Sequence, residues 1–170
     1  GLEIICFTDH NDPFFPYPCP EEEGMFDLDT ERYIDTLLKT ADLYKTKIDI
    51  RHGVEVGIQT HIYKELNDYV QKYPFDFVIG SSHLCLGTDP YYPAFWGGRS
   101  LKEGLNVYFE DIRQNVHNYN NYDVYGHLDY IVRYAPGKNK DFRFADYSDI
   151  LEDILKTIIQ GGKGIEVNSA

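Results

Sequence analysis

Four short apolar runs in this chain end in side chains able to hold a metal ion. FDFVIGSSH, residues 75–83, sets Phe75, Phe77, Val78 and Ile79 in a strand-length stretch, closes it with Gly80, Ser81 and Ser82, and delivers His83 at its end. LEIICFTDH ends in Asp9 and His10, DIRHGVEVG carries Glu55 ahead of Gly57, and DVYGHLD carries His127 with Asp129. One histidine at a strand end is ordinarily a hydrogen-bonded structural residue, but four runs ending in ligand chemistry are hard to assign to chance. His10, Glu55, His83 and His127 combine imidazole nitrogens with a carboxylate, a set suited to Zn, Mn or Fe. A glutamate can bridge two cations with its two oxygens. Two cations roughly 3.5–4 Å apart can clamp a phosphoryl group and activate water at neutral pH. That chemistry is hydrolysis without a protein nucleophile.

The other polar residues divide by position. His52 lies an odd number of places from Glu55 on one strand and so faces away from it. His61 and His117 fall in expected helices, remote from strand ends. Asp9 and Asp129 flank His10 and His127, where carboxylates commonly orient ligating imidazoles, though either could instead cap a turn. Arg133, downstream of His127, is placed to make bidentate contacts to a phosphate, and Arg99 is a weaker candidate of the same kind. No Gly-rich phosphate loop, Ser-His-Asp order or dinucleotide fingerprint is present.

Strands and helices alternate around these residues. After the first strand, residues 11–27 form a long loop with PFFPYPCP and the acidic run Glu21-Glu22-Glu23, either a functional lid or a solvated insertion. A first helix starts at Asp29 or Thr30 and runs to about residue 45, with Ile34, Leu37, Leu38, Ala41 and Tyr44 as a buried stripe. A strand over 48–56, a helix over 60–73 and the strand leading to His83 follow. Residues 85–98 hold Tyr91, Tyr92, Phe95 and Trp96, enough aromatic surface to wall a small-ligand pocket or to pack on itself. Ser100 and Glu103 have the spacing of a capping box for the next helix. A strand over 124–128, a helix over 146–160 ended by Gly161 and Gly162, and a strand over 164–168 complete the alternation. This order predicts an α/β fold with a parallel sheet, doubly wound or a β/α barrel. Ligands delivered by several strand ends favour the barrel.

Composition narrows the function classes. A net charge of -12 gives no basic face for a phosphate backbone, so nucleic acid is not an expected partner. Three cysteines form no CxxC pair and leave one over, which points to a reducing cytoplasm rather than a disulfide framework. No run approaches the ~18 apolar residues of a membrane span. The chain opens in an apolar strand without an initiator Met and stops just past another strand. It therefore reads as one domain, residues 1–170, truncated at both ends.

The motifs Phe7-Thr8-Asp9-His10, Gly53-Val54-Glu55-Val56, Ser81-Ser82-His83, Gly126-His127-Leu128-Asp129 and Gly164-Ile165-Glu166-Val167-Asn168 occur in an order that resembles the PHP (polymerase and histidinol phosphatase) family. The stretch YGHLDYIVRY, Tyr91-Tyr92-Pro93 and the closing EVNS are most similar to its monofunctional histidinol-phosphatases. The resemblance implies a distorted (β/α)7 TIM-like barrel, present here as its central portion, with a trinuclear centre of divalent transition metals. It implies catalytic roles for Glu55, His83 and His127, with Glu55 bridging two metals and His10 serving the third. Arg133, with Arg99 and Asn168, would bind a small phosphoester substrate. The reaction implied is hydrolysis of L-histidinol phosphate in histidine biosynthesis. Another small phosphoester or nucleotide as substrate, or a scaffold that has lost its metals, are the competing readings. The family's opening His-x-His and closing Asp-x-His motifs are not in this sequence, which predicts that residues 1–170 alone are incompletely metallated and inactive. Oligomeric state is not legible from the sequence.

Overall fold

The computed structural model describes residues 1–136 and 142–167. Six strands, β1 (Ile4–Phe7), β2 (His10–Asn11), β3 (Asp49–Gly57), β4 (Phe77–Ser81), β5 (Val124–Tyr125) and β6 (Gly164–Ile165), form a wholly parallel sheet. β1 and β2 both pair with β3, as the two halves of one edge strand interrupted at Thr8 and Asp9, and the order then runs β3, β4, β5, β6. Five strand positions therefore match the five expected. Parallel pairing forces every connection to cross over, and helices α1 (Thr30–Tyr44), α2 (Tyr63–Lys72), α4 (Leu101–Asn118) and α6 (Ser148–Gln160) fill the crossovers.

Alternation along β3 sorts its side chains. Val54 and Val56 are wholly buried and join Leu66 of α2, Leu105, Phe109 and Ile112 of α4, and Ile154 of α6 in one core. Glu55, between the two valines, points to the opposite face. The capping box of α4 is present: Ser100 Oγ accepts the Glu103 N–H at 3.3 Å and Glu103 Oε2 accepts the Ser100 N–H at 2.8 Å.

The structure departs from the sequence expectations in four places. In α1 only Leu37 of the expected stripe is buried, while Leu38 and Tyr44 are exposed, because α1 packs by one face on β3 and meets α2 at its first turn, where Thr30 Oγ1 lies 2.8 Å from the Tyr69 hydroxyl. Helix α2 begins at Tyr63 rather than at residue 60, since a turn closed by the Ile62 N–H on the Gln59 carbonyl precedes it and leaves His61 exposed outside the helix. Strand β5 ends at Tyr125, so His127 lies in the turn beyond the strand. Two short helices were also not anticipated, α3 (Pro93–Trp96) and α5 (Tyr130–Tyr134). No helix among the described residues is long and apolar enough to cross a membrane.

This layout predicts unequal costs for two superficially similar truncations. Ile154→Ala, at a site with no exposure, should cost about 2–5 kcal/mol in chemical denaturation. Leu38→Ala, at a residue 55% exposed, should stay within about 0.5 kcal/mol.

Candidate metal centre

The C-terminal ends of the strands converge on one cluster of donors. Parallel register places His10 beside Glu55 and Glu55 beside Ile79, and the chain beyond β4 and β5 turns His83 and His127 toward the same carboxylate. Glu55 Oε1 lies 3.0 Å from His83 Nε2 and 3.0 Å from His127 Nε2, and accepts the Ser81 hydroxyl at 2.7 Å. Its second oxygen faces His10, with Oε2 3.7 Å from Nε2. The two imidazole nitrogens of His83 and His127 approach to 3.4 Å. One carboxylate thus addresses imidazoles on both of its sides.

Asp12 is the group that sequence reasoning missed. Its Oδ1 binds His83 Nδ1 at 2.6 Å and its Oδ2 lies 3.7 Å from His10 Nδ1, so it fixes the ring that turns Nε2 toward Glu55. The signal was available: in the extended pair His10–Asn11, a residue two places after His10 shares its face and a residue one place before it does not. Asp9, the predicted orienting residue, is accordingly exposed and contributes only its backbone carbonyl, which accepts the Glu55 N–H. Asp12 sits so close to β3 that a Cβ on Gly57 would lie 2.0 Å from its Oδ1, and a Cβ on Gly126 would lie 2.2 Å from the Ser81 oxygen that serves Glu55. Glycine at these two positions is a requirement of space.

The turn carrying His83 is anchored from behind. Ser82 Oγ shares a 2.6 Å hydrogen bond with the Tyr125 hydroxyl and accepts Asn115 Nδ2 at 2.9 Å, while the Ser82 carbonyl accepts the Tyr108 hydroxyl at 2.6 Å. Asn115 in turn accepts from Tyr63.

Charge follows geometry. Burial alone would favour neutral forms, but His127 and His83 hold the Glu55 carboxyl far below the usual range, and His83 and His10 lower that of Asp12. In His83 burial opposes the proton, yet Asp12 and Glu55 raise the imidazole to about 10. The Asp12 carboxylate beside His10 raises that imidazole as well.

The cluster opens into a cavity of 480 Å³. Phe15, Met25 and Phe26 from loop 11–27 wall one side and Tyr91 and Tyr92 from loop 85–98 another, while Phe95 and Trp96 of the second loop are buried in the core. The first loop is an ordered wall, held by the Asp12 N–H on the Phe26 carbonyl, the Leu28 N–H on Asn11 Oδ1 and Gln59 Nε2 on the Pro13 carbonyl. Arg133 is the one Arg or Lys side chain lining the cavity among the described residues. Glu166, just past β6, lines it too and accepts the His127 N–H at 3.2 Å.

Of the residues singled out in the sequence, the structure therefore brings His10, Glu55, His83, His127 and Arg133 together. Arg99 is elsewhere: it bonds the Phe95 carbonyl and stacks on that ring at 5.2 Å. Asp129 is exposed at the start of α5 with its side chain making no cap, because the chain turns after His127 and strand parity no longer applies. Asn168 lies outside the described residues.

Two donor groups emerge, His10–Asp12–His83 and Glu55–His83–His127, with the ligand atoms of each within 4.8 Å of one another. The model of the PHP domain matches residues 1–170, the whole chain. The chain belongs to the PHP family. Within the family it is 35% identical over 171 residues to the histidinol-phosphatase of Lactococcus lactis, covering 99% of this chain and 61% of that protein. A crystal structure of histidinol phosphate phosphatase from the same organism, complexed with zinc, L-histidinol and phosphate, superposes with a TM-score of 0.90 at 34% identity, over 99% of this chain and 62% of that one. A Listeria monocytogenes structure superposes with a TM-score of 0.80 at 14% identity, over 99% and 71%, a likeness of fold alone. The chain spans 61% of the length of the curated relatives it matches. The parallel α/β sheet is of the PHP barrel type, with β1 and β6 unpaired to each other among the described residues.

Imidazole nitrogens with carboxylate oxygens are the donor chemistry of a divalent transition metal. His127 Nδ1 adds a buried nitrogen with no hydrogen-bond partner among the described residues. The donor set of this PHP chain therefore fits such an ion. Zinc must displace the proton that Asp12 and Glu55 stabilise on His83, so zinc affinity should rise about tenfold per pH unit between pH 6 and 8. Calorimetry in buffers of different ionisation enthalpy should report about one proton released per His83 engaged. Gly57→Ala, by displacing Asp12, should lower zinc affinity roughly 10–100-fold in the same titration.

Proposed function

We propose that the intact protein is a metal-dependent phosphomonoesterase that hydrolyses L-histidinol phosphate to L-histidinol and phosphate, a step of histidine biosynthesis. The observation that carries this reading is the pair of donor groups sharing His83, open to a cavity whose one guanidinium is Arg133. The Lactococcus lactis relatives support the substrate. Residues 1–170 are read as the central part of a longer catalytic domain. The exposed Ile4 and Ile165 on the two outer strands support that reading.

Glu55 would offer its carboxylate to two ions, with His83 and His127 at one position and His10 at a further one; with ligands from the rest of the intact protein they would hold a trinuclear centre of Zn, Mn or Fe. Bound divalent cations supply Lewis-acid activation of the phosphoryl group and of water at neutral pH. Asp12 keeps His83 in the tautomer that offers Nε2. Arg133 orients the phosphate through paired N–H donors. The aromatic loops 11–27 and 85–98 enclose the substrate and limit bulk water. Three free cysteines support a reducing, cytoplasmic setting.

The intact protein should release phosphate from histidinol phosphate in a chelator-sensitive reaction, and His83→Ala should lower kcat by roughly a hundred- to a thousand-fold. Residues 1–170 expressed alone should turn over no faster than that variant. Equal or faster hydrolysis of nucleoside monophosphates would replace the substrate assignment, and an intact protein that binds no transition metal would end it.

A further inference from the structure

The sheet rung just ahead of His10 is interrupted by a side chain. The Asp49 N–H bonds the Glu3 carbonyl at 2.9 Å and the Glu55 N–H bonds the Asp9 carbonyl at 3.0 Å, so a regular parallel ladder would bring the Asp9 N–H to the Gly53 carbonyl between them. The Gly53 carbonyl instead accepts the hydroxyl of Tyr33, from the start of α1, at 3.0 Å, and the Phe7 carbonyl shares the same proton at 2.8 Å. The Asp9 N–H faces the Tyr33 oxygen. A side-chain hydroxyl is thus spliced into one rung. Phe7 stays opposite His52 and His10 opposite Glu55, so the register is the same on either side and no residue is inserted. On the Glu55 face, Thr8 fills the space over Gly53, where a Cβ would lie 2.9 Å from its Cγ2. Burial raises the Tyr33 hydroxyl to about 12, which keeps it a donor at any working pH.

The donor separations beyond that rung fall into two classes. His83 Nε2 and His127 Nε2 each lie 3.0 Å from Glu55 Oε1, a hydrogen-bond distance, whereas His10 Nε2 stands 3.7 Å from Glu55 Oε2 and His10 Nδ1 stands 3.7 Å from Asp12 Oδ2. Two donors on one zinc, each about 2.0–2.2 Å from it in a tetrahedron, lie roughly 3.3–3.6 Å apart. His10 is held off both carboxylates by about the span of an ion. We propose that Tyr33 is a positioning residue for the metal ligand His10, its hydroxyl acting as the spacer that sets this imidazole at ion-spanning distance from Glu55. An N–H and a carbonyl joined through a hydroxyl stand roughly 4.5–5 Å apart instead of about 2.9 Å, which tilts the Asp9 peptide, and His10 leaves from that peptide. A direct rung from Asp9 to Gly53 would draw His10 toward Glu55 and favour a closed hydrogen bond over the ion. Tyr33 is not among the residues lining the cavity, so it acts through His10. This rests on the reading of His10 as a ligand and not on the identity of the substrate.

The test is a double-mutant cycle on the intact protein stripped of metal, with zinc as the probe in calorimetry and Tyr33→Phe and His10→Ala as the two changes. His10→Ala should weaken or remove one zinc position. Tyr33→Phe, which deletes only the hydroxyl, should lower affinity at that position roughly ten-fold, leave the zinc held by Glu55, His83 and His127 unchanged, and add nothing further in the His10→Ala background. A general loss of structure would carry over into that background. An equal loss there, or zinc affinity at the wild-type value in Tyr33→Phe, therefore overturns the proposal. If His10→Ala leaves every zinc position intact, the ligand reading of His10 fails and the proposal falls with it. If His10→Ala weakens zinc and Tyr33→Phe does not, His10 stays a ligand and only the role of Tyr33 is overturned. Should Tyr33→Phe not fold, a zinc-loaded crystal structure of the intact wild-type protein decides. The Tyr33 hydroxyl should remain between the Asp9 N–H and the Gly53 carbonyl with His10 on zinc, and a direct hydrogen bond from Asp9 to Gly53 overturns the proposal.

Discussion

The structure depends on keeping one carboxylate charged inside protein. Moving an ion of that size out of water costs several kcal/mol even after the surroundings relax, and removing one partner of a buried pair leaves the other uncompensated. Glu55 sits at the end of the longest strand, and its partners come from each neighbour: His10 from the edge strand, Ser81 from β4 and His83 from just beyond it, His127 from beyond β5. The parallel sheet is what makes this convergence possible, because every strand ends on the same side. Asp12 extends the same logic outward by stabilising the charge on His83 that in turn stabilises Glu55.

Much of this was legible in the residue order, and the parts that were not have identifiable causes. Strand ends and helix caps announce themselves locally, so Glu55, His83 and the Ser100–Glu103 cap could be read from a few neighbouring residues. The same period-two alternation that set His52 aside also selects Asp12 over Asp9, and adjacency to His10 was the wrong criterion there. At Asp129 alternation fails for the opposite reason, since the chain has already left the strand. Leu38 and Tyr44 have helical spacing, but spacing does not say whether a second layer covers the face, and on α1 the described residues provide none. The pairing of Asp89 with Tyr130 joins residues 41 positions apart through loops, and no periodicity encodes it.

The two long loops divide the work with the sheet. Strand ends supply nitrogen and carboxylate donors at positions fixed by backbone register, while loops 11–27 and 85–98 supply the aromatic and acidic surface in front of them. Asp12 is the exception, a donor carried by the first loop itself, so differences farther along the loops would alter the enclosure without moving the donors.

The cross-links behind His83 make that separation mechanical. Ser82 is held by hydroxyl and amide groups of Tyr125, Tyr108 and Asn115, all buried in helix α4 or the sheet, so the turn takes its shape from the core behind it. Such a mounting behaves like a fixed jaw in a vice. Sequence drift in the outer loops can explore new specificities at little risk to the reactive end, which gives the scaffold room to diversify.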